Sequence, residues 1–176
     1  MRSRYKIVSD EHHYFITSTI VEWLPIFTKK EYCNIIIDSL DFCQKNKGLY
    51  IHAYVILDNH IHLVVSGKNL VQILKDFKSF SAKQIIKELK KDDIEWLLNQ
   101  LAFFKKKHKI ASQYQVWQEG FHPQLINGYT MLKQKIEYIH NNPVKRGLVE
   151  DPVHWLYSSA RNYFGGSGEL DIEMIE

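Results

Sequence analysis

Apolar and polar residues alternate from position 14, with Tyr14, Ile16 and Ile20 on one parity and Phe15, Thr17 and Thr19 on the other. A period of two predicts a first strand over residues 14–21. Thr28-Lys-Lys-Glu31 has the form of a capping box. Tyr32, Ile35, Ile36, Leu40 and Cys43 then recur at helical spacing, and Gly48 is the expected stop. Two short apolar runs follow, 49–57 and 60–65, split by Asp58-Asn59. Asx residues between two such runs predict a β-hairpin. Helical spacing returns over 69–90, where Leu70, Ile73, Leu74, Phe77 and Ile85 make one face and lysines the other, and again over 94–107. Residues 115–126 predict a fourth strand, and residues 128–142 a last helix ended by Pro143.

This order, β-α-β-β-α-(α)-β-α, predicts an α+β fold: a ferredoxin-like antiparallel sheet with helices on one face. The chain has 176 residues and shows no repeat or linker, so residues 1–176 are expected to form a single domain. Within the hairpin, the odd positions Leu49, Ile51, Ala53, Val55 and Leu57 are expected to join Ile61, Leu63 and Val65 under the helices. Tyr50, His52 and Tyr54 would join His60 and His62 on the other face. Paired residues share a face, so this grouping needs an odd loop or a bulge.

Composition narrows the picture only modestly. Apolar residues make up 45% of the chain, which argues against disorder. No apolar stretch approaches the ~20 residues that cross a bilayer, and no apolar stretch follows the basic start, so a cytoplasmic protein without membrane association is expected. On one helix, Cys33 and Cys43 would stand about 15 Å apart, too far for a disulfide. They are expected to be buried thiols. The net charge of +3 permits an anionic partner without requiring one.

His60 and His62, two apart on a strand, can aim both rings at one divalent ion; they also fit as polar residues of a half-exposed strand. In the last helix, Leu132, Ile136 and Ile139 mark the apolar stripe, and Tyr138 lies about 120–140° from its centre. Asn142, one turn on, shares that flank. A phenol that attacks a phosphate needs a nearby cation, which a histidine pair facing this helix would hold.

The segment Leu57-Asp-Asn-His-Ile-His-Leu-Val-Val65 resembles the histidine-hydrophobic-histidine (HUH) motif of single-tyrosine transposases. Trp117-Gln-Glu-Gly-Phe-His122 and Tyr138-Ile-His-Asn-Asn-Pro-Val-Lys-Arg-Gly-Leu-Val149 are similar to REP-associated tyrosine transposases in particular, and Trp155-Leu-Tyr-Ser-Ser-Ala-Arg-Asn-Tyr163 to that family's end. The resemblance covers about residues 5–164. It implies an HUH endonuclease-type fold, and His60, His62 and Asn142 as ligands of a divalent metal, Mg²⁺ or Mn²⁺. It implies Tyr138 as the nucleophile, leaving a 5′-phosphotyrosine and a free 3′-hydroxyl on single-stranded or hairpin DNA. Both a monomer and a homodimer, with Tyr138 serving its own site or its partner's, stay open. Two features depart from the family: Leu57-Asp58 stands where Met-Pro is usual, and residues 83–110 are longer and more basic.

Arg2, Arg4, Lys145 and Arg146 are candidates to contact a phosphate backbone, and Trp117 to stack a base. His140 is expected at the surface. Three other readings compete. Lys47-Gly48-Leu-Tyr50-Ile-His-Ala-Tyr54 loosely echoes an RRM-type nucleic-acid-binding motif, which leaves His60, His62 and Tyr138 without a role. A zinc hydrolase would use the two histidines and a third. A domesticated transposase would bind DNA without moving it.

Overall fold

A computed structural model describes residues 6–175. The alternating segment becomes strand β1 (Tyr14–Thr19), ended by a 3₁₀ turn at Val21–Trp23. Helix α1 (Lys30–Lys47) follows, closed by Gly48 at φ 70°. The expected capping box does not form, because the helix starts after Lys29 and no side chain caps it. Strands β2 (Tyr50–Ile56) and β3 (His60–Ser66) make the hairpin. Helices α2 (Leu70–Lys91) and α3 (Glu95–Phe103) lead to strand β4 (Gln124–Leu125), helix α4 (Gly128–Lys145) and a short α5 (Ala160–Tyr163).

The strands pair antiparallel in the order β2-β3-β1-β4, the expected ferredoxin-like arrangement. On one face Tyr14, Ile16, Tyr54, Ile56, Ile61 and Leu63 pack with Ile36 and Leu40 of α1 and Ile73 and Phe77 of α2. A further helix, α4, covers part of the opposite face. There Leu132, Ile136 and Ile139 bury against Phe15, Ala53, Val55, Leu57 and Val64. Each such side chain contributes roughly 1.5–3 kcal/mol on burial, so α4 is firmly seated on the sheet. Cys33 and Cys43 are buried free thiols, raised by burial to about 12 and about 11. No helix among the described residues is long and apolar enough to cross a membrane.

Four local expectations need correction. The hairpin turn is two residues long, with Leu57 N–H bonded to His60 O at 2.9 Å. Ile56 therefore pairs with Ile61 and Val55 with His62, which puts Ala53, Val55 and Leu57 on the histidine face and Tyr54 under α1 and α2. A bulge between Ile51 and Ala53 then returns Ile51 to Val65. The fourth strand is broken: Trp117 bridges Ile20 and Phe121 O accepts from Thr17 N–H, but positive φ at Gly120 and His122 interrupts the ladder before β4. The helix expected over 94–107 ends at Phe103. Finally, Pro143 lies inside α4. Proline removes one hydrogen bond, yet Pro143 is buried and the chain continues helically, Arg146 N–H reaching Asn142 O at 3.1 Å.

The segment after α4 returns along the outer edge of β2. Ile56 N–H donates to Tyr157 O at 2.9 Å, Ser159 N–H to Tyr54 O at 3.0 Å, and Glu173 N–H to Ile51 O at 2.9 Å. At the other end of the hairpin, Gly67 has φ +152°, and a Cβ there would lie 2.7 Å from Gly48 O. Gly67→Ala is expected to destabilise the fold by about 2–3 kcal/mol, through backbone overpacking and strain. Urea unfolding with an unchanged midpoint would refute this.

Candidate active site

Register decides which side chains meet. Thr17 of β1 pairs with His62, and Thr19 with His60. His60 and His62 thus share the α4 face, their ring centroids 4.8 Å apart and nearly perpendicular. Each ring is held through Nδ1. His60 Nδ1 lies 2.6 Å from Asn59 Oδ1, and His62 Nδ1 lies 2.9 Å from Thr17 Oγ1. When Nδ1–H donates, Nε2 carries the lone pair, the arrangement that second-shell partners impose on metal-binding histidines. Burial lowers both pKa values, His62 to about 3, with His60, Lys135 and Arg146 adding positive charge beside it. Both rings are therefore neutral at pH 7 and available as ligands.

Helix α4 brings Tyr138 to the pair. Its ring centroid is 5.4 Å from that of His62 and 5.8 Å from Phe15, both edge-on. The residue is 41% exposed, off the apolar stripe as the periodicity predicts. Asn142 follows one turn later and is buried. Among the described residues no cluster of three His, Cys, Asp or Glu could hold a metal. A site here would be two imidazoles with an amide oxygen from Asn142. That donor set suits a divalent cation with open positions for phosphate and water.

Positive charge surrounds the site. Lys145 Nζ lies 5.8 Å from the Tyr138 ring centroid, and Lys135 Nζ 4.6 Å from that of Phe15. Arg146 Nη2 is 2.8 Å from Asp58 Oδ1, a charge pair that ties the end of α4 to the hairpin turn. The other candidates fall elsewhere. Trp117 is not available to stack a base: it is buried, its Nε1–H donating to Ser81 Oγ at 3.1 Å, between Phe27 and Phe77. Arg2 and Arg4 lie outside the described residues. His140, expected at the surface, is buried and bonded through Nε2 to Ser159 Oγ at 2.8 Å. Ser159 also bonds β2, so His140 fastens the flank of α4 to the sheet edge.

No family model matches the chain. It is 32% identical over 107 residues to a protein of Haemophilus influenzae (strain Rd) described as a REP-associated tyrosine transposase, a match that covers 61% of this chain and 56% of the other. The matched part thus spans about half the length of that curated relative. The structure superposes on a REP-associated tyrosine transposase solved bound to a REP hairpin, with a TM-score of 0.65 and 16% identity over 100% of this chain and 98% of the other. The chain is similar to REP-associated tyrosine transposases, and it has their fold.

Thr17 and Asn59, which hold the two histidines, were not singled out as site residues from the sequence. Thr17 sits opposite His62 only because of the β1–β3 register, and alternation alone leaves that register open. Asn59 fixes His60 from within the turn that its own Asx character predicted. The RRM-like echo loses its basis, because Tyr54 is fully buried and His52 is bonded on both ring nitrogens, to Ser66 Oγ and Glu173 O.

Proposed function

We propose that this chain cleaves and rejoins single-stranded, hairpin-bearing DNA through a covalent bond to Tyr138, with a divalent metal at His60, His62 and Asn142. The observation that carries this reading is the placement of Tyr138 5.4 Å from His62, on the flank of α4 that faces neutral imidazoles. The similarity to REP-associated tyrosine transposases supports it.

The metal, Mg²⁺ or Mn²⁺, would draw charge from the scissile phosphate and orient it. The protein's own groups do the rest. With Nδ1–H donated to Asn59 Oδ1 and Thr17 Oγ1, His60 and His62 would present their Nε2 lone pairs to the metal. Lys135, Lys145 and Arg146 attract and align the phosphate backbone. Tyr138 Oη attacks phosphorus; the bond to the 3′ oxygen breaks, and that oxygen takes up a proton to leave as a hydroxyl. The phenolic proton passes to solvent. The product is a 5′-phosphotyrosine, and a 3′-hydroxyl that attacks it reverses the step without nucleotide hydrolysis.

The test is incubation of labelled hairpin DNA carrying single-stranded flanks with protein and Mg²⁺ or Mn²⁺, followed by a denaturing gel. A cleaved product and a covalent protein–DNA band are expected, both lost on chelation. DNA binding without either product in both metals would leave a domesticated binding protein as the better reading. Cleavage that survives Tyr138→Phe and needs zinc would favour the hydrolase.

A further inference from the structure

A cleft of about 830 Å³ lies away from the histidines. It runs between α2 and residues 108–121, on the α2 side of β1. Four lysines line it, Lys75, Lys78 and Lys83 from α2 and Lys109 opposite, against a single carboxylate, Glu119. Glu119 is already shared by Lys106, His108 and Lys109. Lys78 is the floor: its Nζ donates to Gln118 O at 2.7 Å and Gly120 O at 2.6 Å, and it stands 5.3 Å from the Phe121 ring centroid. Lys75 and Lys83 are exposed and need no structural partner to fold. They are separated by about 12 Å of helix rise, so the lysines form a track rather than a point site.

We infer that this cleft is a second DNA-binding surface, which holds the single-stranded flank of the same substrate whose scissile phosphate sits at Tyr138. The inference rests on the proposed DNA-cleaving reading. A row of lysines with half-buried aromatic surface, here Tyr114 and Phe121, is the chemistry that tracks a flexible phosphate backbone and its bases. Strand β1 touches both places. Thr17 donates its backbone N–H to Phe121 O in the wall of the cleft, and its hydroxyl contacts His62 on the opposite face of the sheet. Residues 117–121 cover this side of β1, so a strand that rounds them at Phe121 leads from one face of the sheet to the other. The extra, basic length of residues 83–110 ends in this wall.

The experiment measures affinity by fluorescence anisotropy, in EDTA so that no cleavage occurs. It uses a blunt hairpin and the same hairpin with a single-stranded flank. The flank is expected to tighten wild-type binding at least tenfold. The variant Lys75→Gln/Lys83→Gln/Lys109→Gln should lose that gain, reduce the slope of log affinity against log salt by about 2, and bind the blunt hairpin as the wild type does. Its unchanged melting temperature excludes misfolding as the cause. A flank that adds nothing to wild-type binding, or a variant that keeps the gain, overturns the inference and leaves the proposed function intact. An equal loss on both DNAs also overturns it, because the lysines then act as general attraction. If the wild type binds neither DNA, the proposed function falls, and this inference with it.

Discussion

Tyr138→Phe is expected to fold, to bind hairpin DNA with the parent's affinity, and to form no covalent adduct. The substitution keeps the ring that packs edge-on against His62 and Phe15 and removes only the hydroxyl. No hydrogen bond among the described residues ties that hydroxyl down, so the stability change should stay within about 0.5 kcal/mol, as for other surface substitutions. The chemical loss is of another order. Removing a nucleophile typically costs on the order of 10³–10⁶-fold in rate, with residual activity arising from the remaining groups. Denaturing gels read the adduct, and thermal melting reads the fold. Chelating the metal from the wild type should abolish the adduct by an independent route, because Tyr138 and the metal serve one step. An adduct of undiminished yield in the Phe variant would assign the nucleophile to another tyrosine and remove the basis for reading α4 as the catalytic helix.

The second large effect is acid sensitivity of the fold itself. Burial lowers the His52 pKa to about 4, with the nearby His13 pushing the same way and the bond to Glu173 O opposing. In the unfolded chain the ring returns to about 6.5. The unfolded state therefore binds the extra proton between these values. Stability is fully present above pH 6.5 and is lost as the pH falls toward 4, at up to about 1.4 kcal/mol per pH unit for this one residue. Over the whole window His52 alone removes on the order of 3 kcal/mol. His62 and His140, lowered to about 3 and about 4 by burial, act in the same direction. Together they approach the whole stability of an ordinary domain, about 5–15 kcal/mol. The wild type should unfold near pH 5 in mild urea that leaves it native at pH 7.5. His52→Gln should be less stable at pH 7.5 and show a shallower decline below pH 6. A wild-type urea midpoint that stays flat between pH 7.5 and 5 would contradict the burial of these rings.

Much of this fold was legible from periodicity. The long helices α1, α2 and α4 and the hairpin fall close to their expected limits because each has a full apolar stripe or an Asx turn. The errors cluster where a single residue sets the geometry. Hairpin parity depends on whether the turn holds two residues or three, and the sequence Asp58-Asn59 fits both. The fourth strand fails because Gly120 and His122 take positive φ, which alternation does not report. Pro143 reads as a stop in isolation, yet burial against the rest of the molecule holds the last turn of α4 in place. At the site, His60, His62 and Tyr138 were readable as an HxH pair and an off-stripe tyrosine. Thr17, Phe15 and Lys135 were not, since their roles arise from pairing across β1 and β3 and from packing under α4. His140 and Trp117 look like surface chemistry in sequence, and each proves to be a buried donor or acceptor with a specific partner.

The backbone bonds that run from residues 157–159 and from Glu173 onto β2 bear on how the protein behaves when concentrated. A bare outer strand is a template on which a second molecule can add its own, the usual first step toward fibrous or amorphous precipitate. Here that strand is already occupied by the chain's own C-terminal segment, and the opposite rim of the sheet ends in a two-residue strand too short to nucleate such growth. Resistance to that kind of growth thus rests on residues 157–173, the same stretch whose Ser159 bonds His140 of α4.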